Sequence, residues 1–177
     1  MKKMVVALMI TGVSLFAQNT NVNLQISNST IGVYAESGLT QNNIKARGFY
    51  LYNDNLNKNN FYLAGIKAEG NLIGMNVENM KFSLIADFVH TKNNSAVPLG
   101  FGVFSYIPNI SLPVFVRMEA EYAPKILSFD DANRFSRVDI NIGYKPIVNA
   151  EIFAGYRNIS FNQNYNSVFY AGLGYGF

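Results

Sequence analysis

Charged side chains recur at every second position through much of this chain. Over 112–123, Arg117, Glu119 and Glu121 alternate with Val116, Met118, Ala120 and Tyr122. Over 134–145, Arg137, Asp139 and Lys145 oppose Val138, Ile140, Ile142 and Tyr144, and over 149–160 Glu151 and Arg157 oppose Ile152, Ala154 and Tyr156. Lys67 and Glu69 stand the same way against Ile66 and Ala68, and Asp87 against Ala86 and Phe88. Both signs of charge, two residues apart on one face of extended chain, are suited to cross-strand ion pairing. If that face lines a narrow enclosure, the charges must pair because bulk water cannot solvate them. Two chemistries follow: an electrostatic plug that fixes strand register, or a narrow polar path for ions and small solutes.

Hydrolysis is the other chemistry to weigh. His90 is the single histidine, and Lys92, not a serine, stands two places after it. A nucleophile needs a base beside it and a group that orients the base. Asp130 and Asp131, in the segment 124–133, could supply acids, but sequence alone does not bring them to His90. The pattern reads as a rim histidine and a solvated acidic loop, so no catalytic residue is assigned. With no cysteine, disulfides, haem attachment and cysteine-based zinc sites are excluded. The glycines of 172–176 are followed by no helix and no Lys-Ser/Thr pair, so they form no phosphate loop. No metal and no cofactor is expected.

The elements that must position these charges are strands. Period-two patterning runs through 45–53, 60–70, 80–91, 97–107, 112–123, 134–145, 149–160 and 169–177. Each segment is close to the length that a tilted strand needs to cross a hydrocarbon layer. In the last, Phe169, Ala171, Leu173, Tyr175 and Phe177 share a face, against Tyr170, Gly172, Gly174 and Gly176. An apolar face opposed by little but glycine fits a wall between lipid and a crowded lumen. Tyr122, Tyr144, Tyr156 and Tyr175 fall on apolar faces toward segment ends, as interface aromatics do. Segments 54–59, 92–96, 124–133 and 161–167 are expected as outer loops, and 108–111 and 146–148 as short inner turns.

At the N-terminus, Lys2 and Lys3 precede an apolar run over 4–17 that gives way to Gln18 and Asn19. That is the layout of an export signal cleaved after Ala17, which leaves 18–177 as one barrel domain. The net charge of +3 includes the two leader lysines, and no basic patch is interleaved with aromatics, so no nucleic-acid partner is expected. The pattern of Val22, Leu24 and Ile26 changes phase to Ile31, Val33 and Ala35, which calls for a turn or a bulge. As a hairpin it makes ten strands; as an extension on the inner side it leaves eight. The expected fold is all-β: a transmembrane, antiparallel, up-and-down barrel in the outer membrane, with membrane lipid as its surroundings.

Three stretches carry a resemblance: 122–129 (Tyr-Ala-Pro-Lys-Ile-Leu-Ser-Phe), 155–159 (Gly-Tyr-Arg-Asn-Ile) and, more loosely, 49–53 (Phe-Tyr-Leu-Tyr-Asn). In these the chain resembles the YfaZ family of bacterial outer-membrane proteins. The resemblance implies an outer-membrane barrel and transfers no catalytic residue. The ending is similar to the C-terminal signal read by the barrel assembly machinery, with Gly172, Tyr175 and Phe177 in its characteristic places. Strand addition at an unpaired edge is the physical means of such recognition. The functional order that results is a structural or surface-interaction barrel first, a narrow channel second and a hydrolase third.

Overall fold

A computed structural model describes residues 20–39, 43–53, 60–70, 80–108, 112–162 and 164–177. The expected leader, the loop 54–59 and most of the 108–111 turn lie outside the described residues. Twelve strands follow in chain order: β1 (Thr20–Ile26), β2 (Thr30–Gly38), β3 (Ile44–Asn53), β4 (Phe61–Gly70), β5 (Met80–His90), β6 (Asn94–Ala96), β7 (Leu99–Tyr106), β8 (Val114–Ala123), β9 (Ser128–Asp130), β10 (Phe135–Ile147), β11 (Ala150–Phe161) and β12 (Asn164–Gly176). Ten of them form an antiparallel wall in sequence order, and β12 pairs back onto β1 from Asn21↔Gly176 to Ile26↔Ala171. Closure leaves no unpaired edge, the condition for strands to cross a bilayer.

The change of phase near residue 28 is a hairpin, so the wall has ten strands and the eight-strand alternative is set aside. Ile26 pairs with Ile31, and the Ser27 amide donates to the Thr30 carbonyl at 2.9 Å. The Ser27 hydroxyl accepts from the Thr30 amide at 3.0 Å, so local side-chain bonding holds the turn.

Three expected connections are more ordered than their polarity suggests. Within 92–96, β6 folds back on the end of β5 through Val89↔Ala96 and His90↔Ser95; within 124–133, β9 pairs with β6 from Ala96↔Ser128 to Asn94↔Asp130. Two outer loops are thus zipped into a small flap above the rim. Most of 161–167 is strand, because β11 runs through Phe161 and β12 begins at Asn164. Asn162 makes that turn with φ 57°, a conformation Asn tolerates, and its side-chain oxygen accepts from the Arg134 amide at 3.3 Å. Beyond the hydrocarbon layer a strand has no need of apolar residues, so Asn-rich sequence conceals it. At the inner end β10 continues through Pro146 to Ile147, with the register shifting between Tyr144 and Ile147. The shift accommodates the donor that proline lacks.

The wall is inverted relative to a water-soluble sheet. Leu84 is 73% exposed and Phe169 80%, whereas Arg157 is 1% and Arg47 4% exposed. Outward apolar residues opposite enclosed charges define a barrel whose solvent is lipid.

Room inside comes from glycine at particular crossings. Gly65 lies in one register row between Arg47 and Asp87, and a Cβ there would collide with the Asp87 side chain and the Ala86 carbonyl. At Gly172 a Cβ would meet the Phe153 ring and, at 2.8 Å, the Leu24 carbonyl. Gly65→Ala is expected to lower stability by about 1–3 kcal/mol in urea unfolding of the refolded protein. Gly48→Ala, which would meet only one carbonyl at 3.8 Å, is expected to change it little.

Candidate functional site

The lumen is filled in three layers. The middle layer is ionic and centres on Arg47, which the alternation of β3 turns inward between Lys45 and Phe49. Because Gly65 intervenes, the Asp87 carboxylate can lie across β4 and take the Arg47 Nε at 2.9 Å. Arg47 also pairs with Glu121 and, at 2.9 Å, with Glu119. From the next strand Arg137 reaches the same two acids, Glu121 at 2.5 Å and Glu119 at 3.2 Å. The two guanidiniums therefore share a pair of carboxylates two residues apart on β8, and β3, β5, β8 and β10 are tied through the middle of the barrel.

A second cluster joins this one through Glu119. Lys67 lies 2.9 Å from Glu36, 3.1 Å from Glu69 and 3.5 Å from Glu119. Lys45 lies 2.8 Å from Glu36 and 2.7 Å from Glu69. The Tyr34 hydroxyl donates to Glu36 at 2.6 Å. Arg117 and Glu151 form a separate pair at 3.2 Å.

Arg157 is held differently. Its guanidinium lies 5.0 Å from the ring centres of Phe49 and Tyr170 and donates to Gln25 and Thr30. Tyr170 in turn donates to Asp139 at 2.5 Å, so the cation and the carboxylate are linked through an aromatic ring.

The outer layer is apolar. Phe61 of β4 stacks across the lumen on Phe135 of β10, with centroids 6.1 Å apart and planes 7° apart. Phe161 packs 4.8 Å from Phe135 and 6.5 Å from Phe61. Val89, Ala96, Ala123 and Leu51 close the gaps, and all are buried. Nothing in the alternation of charges announces this seal, because at these strand ends the inward positions are apolar and the alternation gives no sign of what they meet.

The inner layer is not filled by the described residues. A cavity of about 290 Å³ is bordered by Lys45, Lys81, Phe104, Tyr106, Arg117, Lys145 and Glu151 among others.

All the charged residues expected in the lumen, Lys67, Glu69, Asp87, Arg117, Glu119, Glu121, Arg137, Asp139, Lys145, Glu151 and Arg157, lie on inward-facing positions of their strands. Sequence reading missed Glu36, Lys45 and Arg47, the last of which is the hub. The signal for Arg47 was its parity against Tyr50 and Tyr52, but Phe49 and Leu51 on its own side flatten the alternation.

At the outer rim, Ser95 stands between the two groups that a hydrolase would need in contact. His90 Nδ1 lies 2.9 Å from the Ser95 hydroxyl, which donates to Asp130 at 2.7 Å. Since the hydroxyl proton is directed to the carboxylate, the imidazole must act as donor to Ser95. That order is the reverse of a base activating a serine. Tyr122 lies at the outer end of β8, Tyr144 and Tyr175 toward the inner end of the wall, and Tyr156 at mid-strand, packed on Phe169 at 5.2 Å. Tyr175 packs on Phe177 at 5.0 Å, and the Phe177 amide donates to the Thr20 carbonyl at 2.8 Å.

Among solved structures the chain is similar to the KdgM porin, at 8% identity and a TM-score of 0.50, over 90% of this chain and 99% of the porin. A structure of the KdgM porin in complex with disordered oligogalacturonate matches with the same identity, TM-score and coverage. No family model and no curated protein matches. The likeness in fold and the apolar outer wall together define the class: a ten-stranded outer-membrane β-barrel of porin-like fold.

The burial of Arg47 sets an expectation for stability. Arg47→Met leaves Asp87, Glu119 and Glu121 short of a cation, and is expected to cost about 3–5 kcal/mol in urea unfolding of the refolded protein. Arg117→Gln, at a pair whose arginine side chain is 24% exposed, is expected to cost about 1 kcal/mol or less.

Proposed function

We propose that this chain is an integral outer-membrane barrel with a sealed, charge-filled lumen, acting as a structural or surface-interaction protein and not as an enzyme. The observation that carries this reading is the contact of Phe61 with Phe135 and Phe161 across the lumen, directly outside the ionic layer. A solute moving along the barrel would have to displace stacked rings and then separate Arg47 from three carboxylates. Both steps oppose free diffusion: one opens packed apolar contacts and the other exposes buried charge. The resemblance to the YfaZ family favours the same reading, and with it go an export leader over 1–17 and assembly through the C-terminal residues Gly172, Tyr175 and Phe177.

The second reading is a narrow channel for ions or small solutes. Its support is the likeness in fold to the KdgM porin, one structure of which holds an oligogalacturonate. In this chain the lumen carries both signs of charge, paired across strands, which suits passage of small ions better than that of a long polyanion.

Planar-bilayer conductance of the refolded protein separates the two. The sealed reading expects no steps from the wild type, and steps only once both barriers are removed, in Phe61→Ala/Phe135→Ala/Phe161→Ala combined with Arg47→Ala. Regular conductance steps from the wild type would establish the channel instead.

A further inference from the structure

Among the described residues the lumen is asymmetric, and its inner third is the part that their side chains leave unfilled. The cavity there, about 290 Å³, is at the small end of ligand pockets. Its acids are already engaged: Glu36 and Glu69 by Lys45 and Lys67, Glu119 by Arg47, Lys67 and Arg137, and Glu151 by Arg117. Two of its cations are not. Among the described residues, Lys81 and Lys145 have no carboxylate within ion-pair distance, although both border the cavity.

Between them lies an aromatic shelf. Phe104 is the cross-strand neighbour of Lys81, and Tyr106 meets Phe104 edge-on at 5.1 Å. Lys145 sits 5.9 Å from the Phe104 ring centre and 5.8 Å from that of Tyr106. The rings hold the ammonium beside the cavity without neutralising it, since a π face attracts a cation but carries no net charge. Two uncompensated ammonium groups flanking an aromatic surface attract an anion that also has a flat apolar face.

We propose that this inner vestibule binds a small anionic ligand bearing a ring, its carboxylate or phosphate held by Lys81 and Lys145 and its ring against Phe104 and Tyr106. The inference goes beyond the sealed-lumen reading and does not depend on it. The ligand enters from the inner end, so a conducting barrel would still hold the site.

Phenyl phosphate is a suitable probe, with inorganic phosphate and phenethylamine as comparisons, titrated by calorimetry into the refolded protein in micelles. The expected order is phenyl phosphate tightest, inorganic phosphate weaker and phenethylamine without binding. Lys81→Gln and Lys145→Gln are each expected to weaken phenyl phosphate about tenfold, as loss of one charge-assisted contact does. Phe104→Leu is expected to weaken phenyl phosphate and leave inorganic phosphate unchanged, which separates the shelf from the charges. Heat-modifiable migration on gels checks that each variant has folded; Lys81, at the exposed inner end, can be replaced without touching the ionic middle layer. Absence of phenyl phosphate binding in the wild type, equal binding of phenethylamine, or unchanged affinity in folded Lys81→Gln would overturn the proposal.

Discussion

Arg47 occupies the middle of the barrel with almost no solvent around it, and the rest of the interior is arranged so that this is tolerable. A guanidinium held away from water costs several kcal/mol unless opposite charge and good hydrogen-bond geometry surround it. Asp87, Glu119 and Glu121 provide both, and each comes from a different position on the wall. The absence of a side chain at Gly65 lets Asp87 reach across its neighbouring strand. The acids on β8 would themselves be over-concentrated without Arg137 on the next strand. One buried cation thereby fixes the relative register of strands that are far apart in the sequence. A one-residue slip of β3 would turn Arg47 toward lipid and Ala46 or Gly48 toward the acids, which is why the ionic layer specifies one pairing of the wall.

Lipid outside and ion pairs inside leave the question of what lies at either end, and the two ends are not alike. At the outer end the lumen narrows onto stacked rings, and above them β6 and β9 tie two loops together through His90, Ser95 and Asp130. Near the inner strand ends Lys81, Tyr106 and Lys145 border a space that the described residues leave unfilled.

Much of this was legible before any coordinates. The wall strands could be read because lipid and lumen impose opposite demands on alternate residues. Segments such as 134–145 obey both demands at nearly every position. The inward direction of Arg137 and Asp139 followed from the same parity. What escaped were places where one demand is absent. On β3, Phe49 and Leu51 face the seal, so apolar residues occupy both sides and Arg47 loses its contrast. On β6 and β9 only Ala96 meets the seal, the strands are three residues each, too short for a period to show, and their pairing depends on a loop-to-loop contact between residues far apart in sequence. Pairing across the lumen, such as Phe61 with Phe135, is equally invisible to a periodic pattern, which reports the side a residue faces and not what it meets there.

The chain has no native cysteine, so single cysteines can report the environment of each position without interference. The most direct measurement is a spin-label accessibility scan along β5, residues 80–90, in reconstituted bilayers, comparing oxygen, which concentrates in lipid, with a water-soluble nickel chelate. The account predicts that labels at positions 82, 84, 86 and 88 are reached by oxygen, and that labels at 85, 87 and 89 are shielded from both reagents because the ionic and ring layers exclude them. Ready access of the nickel chelate to positions 85, 87 and 89 would mean a water-filled lumen, and oxygen access at those same positions would mean that the wall is turned the other way.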